Sequence, residues 1–155
     1  MSSDQGEIYQ CNGVALDGVD VVAYFEQRNK IVGNPKYALK YSGLEWRFST
    51  KTHQERFNAR PKEYIPQYGG FCAFGVGKGY KAKPKLSTFT IYNQKLYLNF
   101  SDYVKDRWLE SMEENIISAD NNWGEIKNSI PIKANRYLIY IKYRLLLLFG
   151  IDTLS

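Results

Sequence analysis

The chain has little of what most catalytic and metal-binding proteins use. In 155 residues there is one histidine, His53, and there are two cysteines, Cys11 and Cys72. Two cysteines allow one disulfide at most, so no disulfide framework exists, and free thiols are the default expectation. No Ser–His–Asp arrangement and no committed pair of acid and base carboxylates can be read, which argues against an ordinary hydrolase and for a non-enzymatic protein. The opening residues, MSSDQGEIYQ, show neither a basic n-region nor an apolar h-region. No secretory signal is visible, and a cytoplasmic location is the default expectation. No apolar run reaches the roughly 20 residues that span a bilayer. The longest, Tyr137 to Ile151, is interrupted by Lys142 and Arg144.

What is present reads as one globular domain with a tail. The composition is 44% hydrophobic and 24% charged, with 13 tyrosines, and tyrosine favours sheets and half-buried surfaces. The formal charge of +5 is unevenly spread: residues 1–126 hold 16 Lys/Arg against 15 Asp/Glu. The basic excess therefore belongs to residues 127–155, a basic-apolar tail and candidate helix. Three readings compete for that tail: contact with a membrane surface, docking on the domain or a protein partner, or an extension under little selection. A domain this close to neutral is not expected to bind nucleic acid.

Within residues 1–126, Asp20 is placed to cap a short helix over Val21–Gln27. Tyr37, Leu39 and Tyr41 alternate with polar or small residues, and so do Leu44, Trp46 and Phe48 beyond Ser42-Gly43. Two such runs about a glycine turn predict a β-hairpin with one apolar face. Ser49 and Thr50 are N-cap types, Thr52 and Glu55 fit a capping box, and Pro61 ends the helix or restarts a turn. Phe57 and Tyr64 point to the core. The pattern then recurs: Thr88 to Phe100 predicts a second hairpin about Asn93-Gln94, with Leu96, Leu98 and Phe100 on one face. A helix capped by Ser101 or Asp102 follows, with the stripe Val104, Trp108, Met112, Ile116 and Ala119, then Trp123.

Between the two units lies PQYGGFCAFGVGKGYKAKPK, Pro66 to Lys85, with five glycines and no acidic residue. It is not a phosphate loop. A Walker A motif needs glycine at Cys72 and Ser or Thr at Gly79, and G-x-G-x-x-G needs glycine at Tyr80. Cys72 is its chemical candidate. Exposed amides of the flanking glycines and the cations Lys78, Lys81 and Lys83 would favour a thiolate. Cys72 then reads as a ligand for a soft or borderline metal with His53 as partner, as a redox thiol, or as a nucleophile. The competing reading makes it a small buried hydrophobe. His53, near a helix start, reads either as a local hydrogen-bonder or as that second ligand.

Three segments taken together, GVALDGVDVVAYF, YSGLEWRFSTKTHQERFNARPKEYIPQYGGFCAFGV and KLYLNFSDYVKDRWLESMEENIISADNNW, resemble the small YHS domain-containing proteins, many of which are exported. The resemblance covers about residues 12–123. It implies a compact α+β module of the YHS type, within a wider TRASH-like group whose members bind metals such as copper or zinc through two cysteines. Ser49 stands at the place of the first of those cysteines and His53 at the place of the second. The expectation is therefore an α+β fold of two hairpin–helix units around one aromatic core. Its function would be that of a small binding module, with Cys72 and His53 the candidate metal ligands. The alternatives are a scaffold or interaction protein working through its tail, and a Cys72-dependent redox protein.

Overall fold

A computed structural model describes residues 6–132, and the fold is α+β. Strands β1 (Gln10–Cys11) and β2 (Val14–Ala15) lead through a 3-10 turn into helix α1 (Val21–Glu26). The first hairpin follows as β3 (Asn34–Tyr41) and β4 (Leu44–Phe48), then α2 (Lys51–Ala59) and α3 (Pro61–Tyr64). A left-handed 3-10 turn over Gln67–Gly70 precedes α4 (Ala73–Gly77). The second hairpin is β5 (Lys85–Tyr92) and β6 (Lys95–Asn99), followed by α5 (Asp102–Glu110) and α6 (Met112–Ile126). One sheet has the order β1-β2-β4-β3, with β2 parallel to β4, and β5 and β6 form a second, antiparallel pair.

Local chemistry accounts for most of these boundaries. Ser101 Oγ accepts from Val104 N at 3.1 Å and starts α5. Asn93 and Gln94 adopt φ of 47° and 62°, the left-handed pair that matches the twist of a tight hairpin. Pro61 sits at the first position of α3, where its missing N–H costs nothing. Two expectations are corrected here. The N-cap of α2 is Thr50, whose Oγ1 accepts from His53 N at 3.1 Å, so Thr52 lies inside the helix and its capping box does not form. The long helix is two helices, broken at Ser111 (φ −139°, ψ 50°), although the stripe from Val104 to Trp123 still packs on one cluster.

The expected single aromatic core is divided by β6. Leu96 and Leu98 join Trp46, Phe48, Phe57, Leu16, Val21 and Val22 on one side. Tyr97 faces the other way and joins Phe71, Phe74, Val104 and Trp108. Phe57 centres the first cluster, with ring centroids 5.0 Å from both Trp46 and Phe48. Phe100 lies past the end of β6, so alternation no longer governs it and it packs with the second cluster.

The glycine-rich connection is itself core. Cys72, Ala73 and Val76 are completely buried, and so is Ala82. Glycine is required where backbones touch: a Cβ on Gly69 (φ +62°) would fall 1.6 Å from Glu7 O. One on Gly75 would press on the Tyr80 ring at 3.0 Å. Domain packing also runs past residue 126, since Ile132 N donates to Lys81 O at 2.9 Å and Ile132 packs on the second cluster. The expectations for the rest of the tail lie outside the described residues. Among the described residues, no helix is long and apolar enough to cross a membrane.

Candidate functional site

Three polar centres stand out. The first is Asp20, whose side chain is fully buried. Its Oδ1 caps α1, accepting from Val22 N at 2.9 Å and Ala23 N at 3.1 Å. Its Oδ2 accepts from Ser49 N at 2.8 Å, Ser49 Oγ at 2.6 Å and His53 Nδ1 at 2.7 Å. A carboxylate is acceptor-only, so Nδ1 of His53 carries the proton. Ser49 and His53 thus converge on one carboxylate. Ser49 Oγ and His53 Nδ1 both donate to Asp20 and not to each other, so the trio ties the start of α1 to the end of β4 and the start of α2.

The second centre is Cys72, N-cap of α4. Its Sγ accepts from Gly75 N at 3.4 Å and donates to Asn99 Oδ1 at 3.6 Å, which also accepts from Phe74 N at 3.1 Å. Helix α4 packs on α5, α6 and β6, while α2, which carries His53, packs on α1, α3, β3 and β4. Cys72 and His53 therefore have separate partners in separate parts of the core. Among the described residues, no group of three or more His, Cys, Asp or Glu side chains is arranged to hold a metal ion. The two candidate ligands are not brought into one donor set, and Cys72 is completely buried. Lys81, one of the cations placed near Cys72 by sequence, is spent elsewhere. Its buried Nζ donates to Gly6 O at 2.9 Å and to Lys127 O and Ser129 O at 2.8 Å each, and lies 4.5 Å from the Phe71 ring centroid. Burial pushes this ammonium down from the ordinary lysine range, and Glu7 opposes the shift.

The third centre opens to solvent. A cleft of about 470 Å³ is lined by Ile8, Ile65, Pro66, Tyr68, Asp120 and Trp123, with Glu7 and Lys62 at its edge. Tyr68 is buried yet holds the left-handed conformation φ 56°, ψ 33°, which costs a bulky residue about 1–3 kcal/mol. Its hydroxyl donates to Asp120 Oδ1 at 2.8 Å, and its ring lies 5.9 Å from that of Trp123. Burial, then the bond to Asp120, pushes the Tyr68 phenol well above its ordinary value. Burial likewise raises Tyr97, helped by the Asp120 charge. A neighbouring cleft of about 550 Å³, which shares Lys62 and Gln67, is edged by charges already paired: Glu26 with Arg56 and Glu63 with Arg60. Its left-handed residues, Asn93 and Gln94, are the turn of the second hairpin, and no left-handed aromatic residue lines it.

Sequence reasoning named none of the residues of this open site as functional. Asp120 and Trp123 are three apart on α6 and so share a face, a signal visible in SADNNW. The left-handed Tyr68 was signalled only by the two glycines after it. No family model, no curated protein and no solved structure matches this chain.

Proposed function

We propose that this chain is a small, non-enzymatic binding module of the YHS-like kind that takes a small organic ligand in the Tyr68–Asp120–Trp123 cleft. The observation that carries the reading is Tyr68. A buried aromatic residue is held in a costly backbone conformation, and its hydroxyl fixes an exposed carboxylate beside an indole at an open cleft. Strain of this kind persists only where surrounding structure over-determines it, and it gathers at ligand sites. The aromatic wall and the few convergent polar groups are what a small-molecule site requires. A metal ion held by Cys72 and His53 is not the ligand this geometry favours, because each residue is already hydrogen-bonded within its own part of the core.

The test is a small-molecule screen by thermal shift, followed by amide NMR on the binders. Compounds that raise Tm are expected to move the resonances of Tyr68, Gly69 and Trp123, and Gln67→Trp, which fills the cleft rim, is expected to abolish the effect. Binders that leave those resonances unmoved, or that survive Gln67→Trp, would show the site to be wrong.

A further inference from the structure

The clefts, the buried charges Asp20 and Lys81, the Cys72–Asn99 pair and the exposed apolar side chains differ in what they can recognise. The exposed apolar residues Val32, Leu109, Ile117 and Ile130 carry no indication of what covers them. Asp20 and Lys81 are satisfied internally. The Asp120 cleft is different, because its carboxylate is oriented and, among the described residues, engaged in no ion pair.

We infer that the ligand of this cleft is an organic cation with an apolar body, a primary ammonium or guanidinium seated between the Asp120 carboxylate and the Trp123 indole. This rests on the reading of the cleft as the binding site. Tyr68 holds Oδ1 of Asp120 in place through a single hydrogen bond, leaving the carboxylate further acceptor capacity. No ion pair among the described residues engages Asp120. The other acid at the cleft, Glu7, is already paired with Lys127 at 2.9 Å. Trp123 supplies the best ring face for a cation, and the carboxylate adds a charge-assisted hydrogen bond. Ile8, Ile65 and Pro66 offer apolar surface for the rest of the molecule. Lys62, exposed at the rim, repels a cation and sets the sign of one test.

Three probes of nearly the same shape separate the possibilities: 2-phenylethylammonium, 2-phenylethanol and 3-phenylpropionate, each titrated into the full chain and followed by amide NMR at Gly69, Asp120 and Trp123. The ammonium is expected to bind tightest and the carboxylate weakest. Asp120→Asn, an isosteric change at an exposed position, is expected to weaken the ammonium about tenfold while leaving the alcohol within a factor of about two. Lys62→Gln is expected to tighten it. The ligand class is overturned if the alcohol or the carboxylate binds as well as the ammonium, or if Asp120→Asn leaves the preference intact; binding of those probes in the cleft would still uphold the site. If none of the three moves a cleft resonance, the cation reading falls, and the compound screen decides the cleft separately.

Discussion

In the first hairpin–helix unit the buried charge is the anion Asp20, and in the second region it is the cation Lys81. Five hydrogen bonds reach Asp20, from donors no more than 33 residues away in the chain. Three carbonyls surround Lys81, and they lie 46, 48 and 75 residues away. Asp20 joins neighbours: it caps α1 and pins the end of β4 and the start of α2 to it. Lys81 gathers distant pieces, and two of its acceptors, Lys127 and Ser129, lie at the end of α6, where the helix dipole favours a cation. One buried charge locks a local unit, and the other closes the described chain on itself.

The largest effect is expected at the local lock. Asp20→Ala removes all five acceptor contacts and is expected to cost about 3 kcal/mol or more in urea unfolding, with Asp20→Asn costing less because one oxygen remains. A loss below about 1 kcal/mol for the alanine variant would show that Asp20 does not hold the unit together. Lys81→Met keeps the length and removes the charge. It is expected to cost about 1–3 kcal/mol, but its signature is regional: amide exchange should quicken between Lys127 and Ile132 before it does in β3 and β4. Uniform acceleration would break the contrast between local lock and closure.

A subtler contrast lies at alkaline pH. Burial raises Tyr24 in the first cluster and Tyr68 and Tyr97 in the second. Their folded pKa values lie above the unfolded one, so the folded chain holds the phenolic proton longer. The stability they contribute is intact below about pH 10 and is lost as pH climbs from there towards the folded values. Tyr68→Phe is expected to flatten that decline, and an unchanged slope between pH 9 and pH 11 would remove Tyr68 from the account. The smallest effect is expected from metal. Zinc or copper(I) should shift Tm no further in the wild type than in Cys72→Ala; a metal-dependent rise that this variant loses would restore the paired-donor reading.

Much of the α+β framework was legible in the sequence, because the two hairpins, the cap at Asp20 and the cap at Ser101 are local patterns. The misses share one cause, tertiary context. Nothing near Asp20 announces that Ser49 and His53, 29 and 33 residues on, will turn to the same oxygen. No proline or glycine marks the break at Ser111. The glycines around Cys72 suggest an exposed loop, yet Gly69 is needed because the backbone of Glu7 passes within contact. The same holds for the candidate site. Trp123 was visible as part of a stripe, but its pairing with Asp120 and a left-handed Tyr68 exists only once α6 crosses the Gln67–Gly70 turn.

The carbonyl shell of Lys81 also bears on how the protein is made. Synthesis proceeds from the N-terminus, so the Asp20 lock has all its donors once residue 53 has emerged. Lys81 must wait for Ser129. Until then an ammonium destined for the interior has its final partners missing, and Gly6, one of the first described residues, has nowhere to settle. The Asp20 lock can therefore form early in elongation, the first cluster is filled only when Leu96 and Leu98 arrive, and closure around Lys81 is a high-contact-order event, postponed until nearly all of the described chain has left the ribosome.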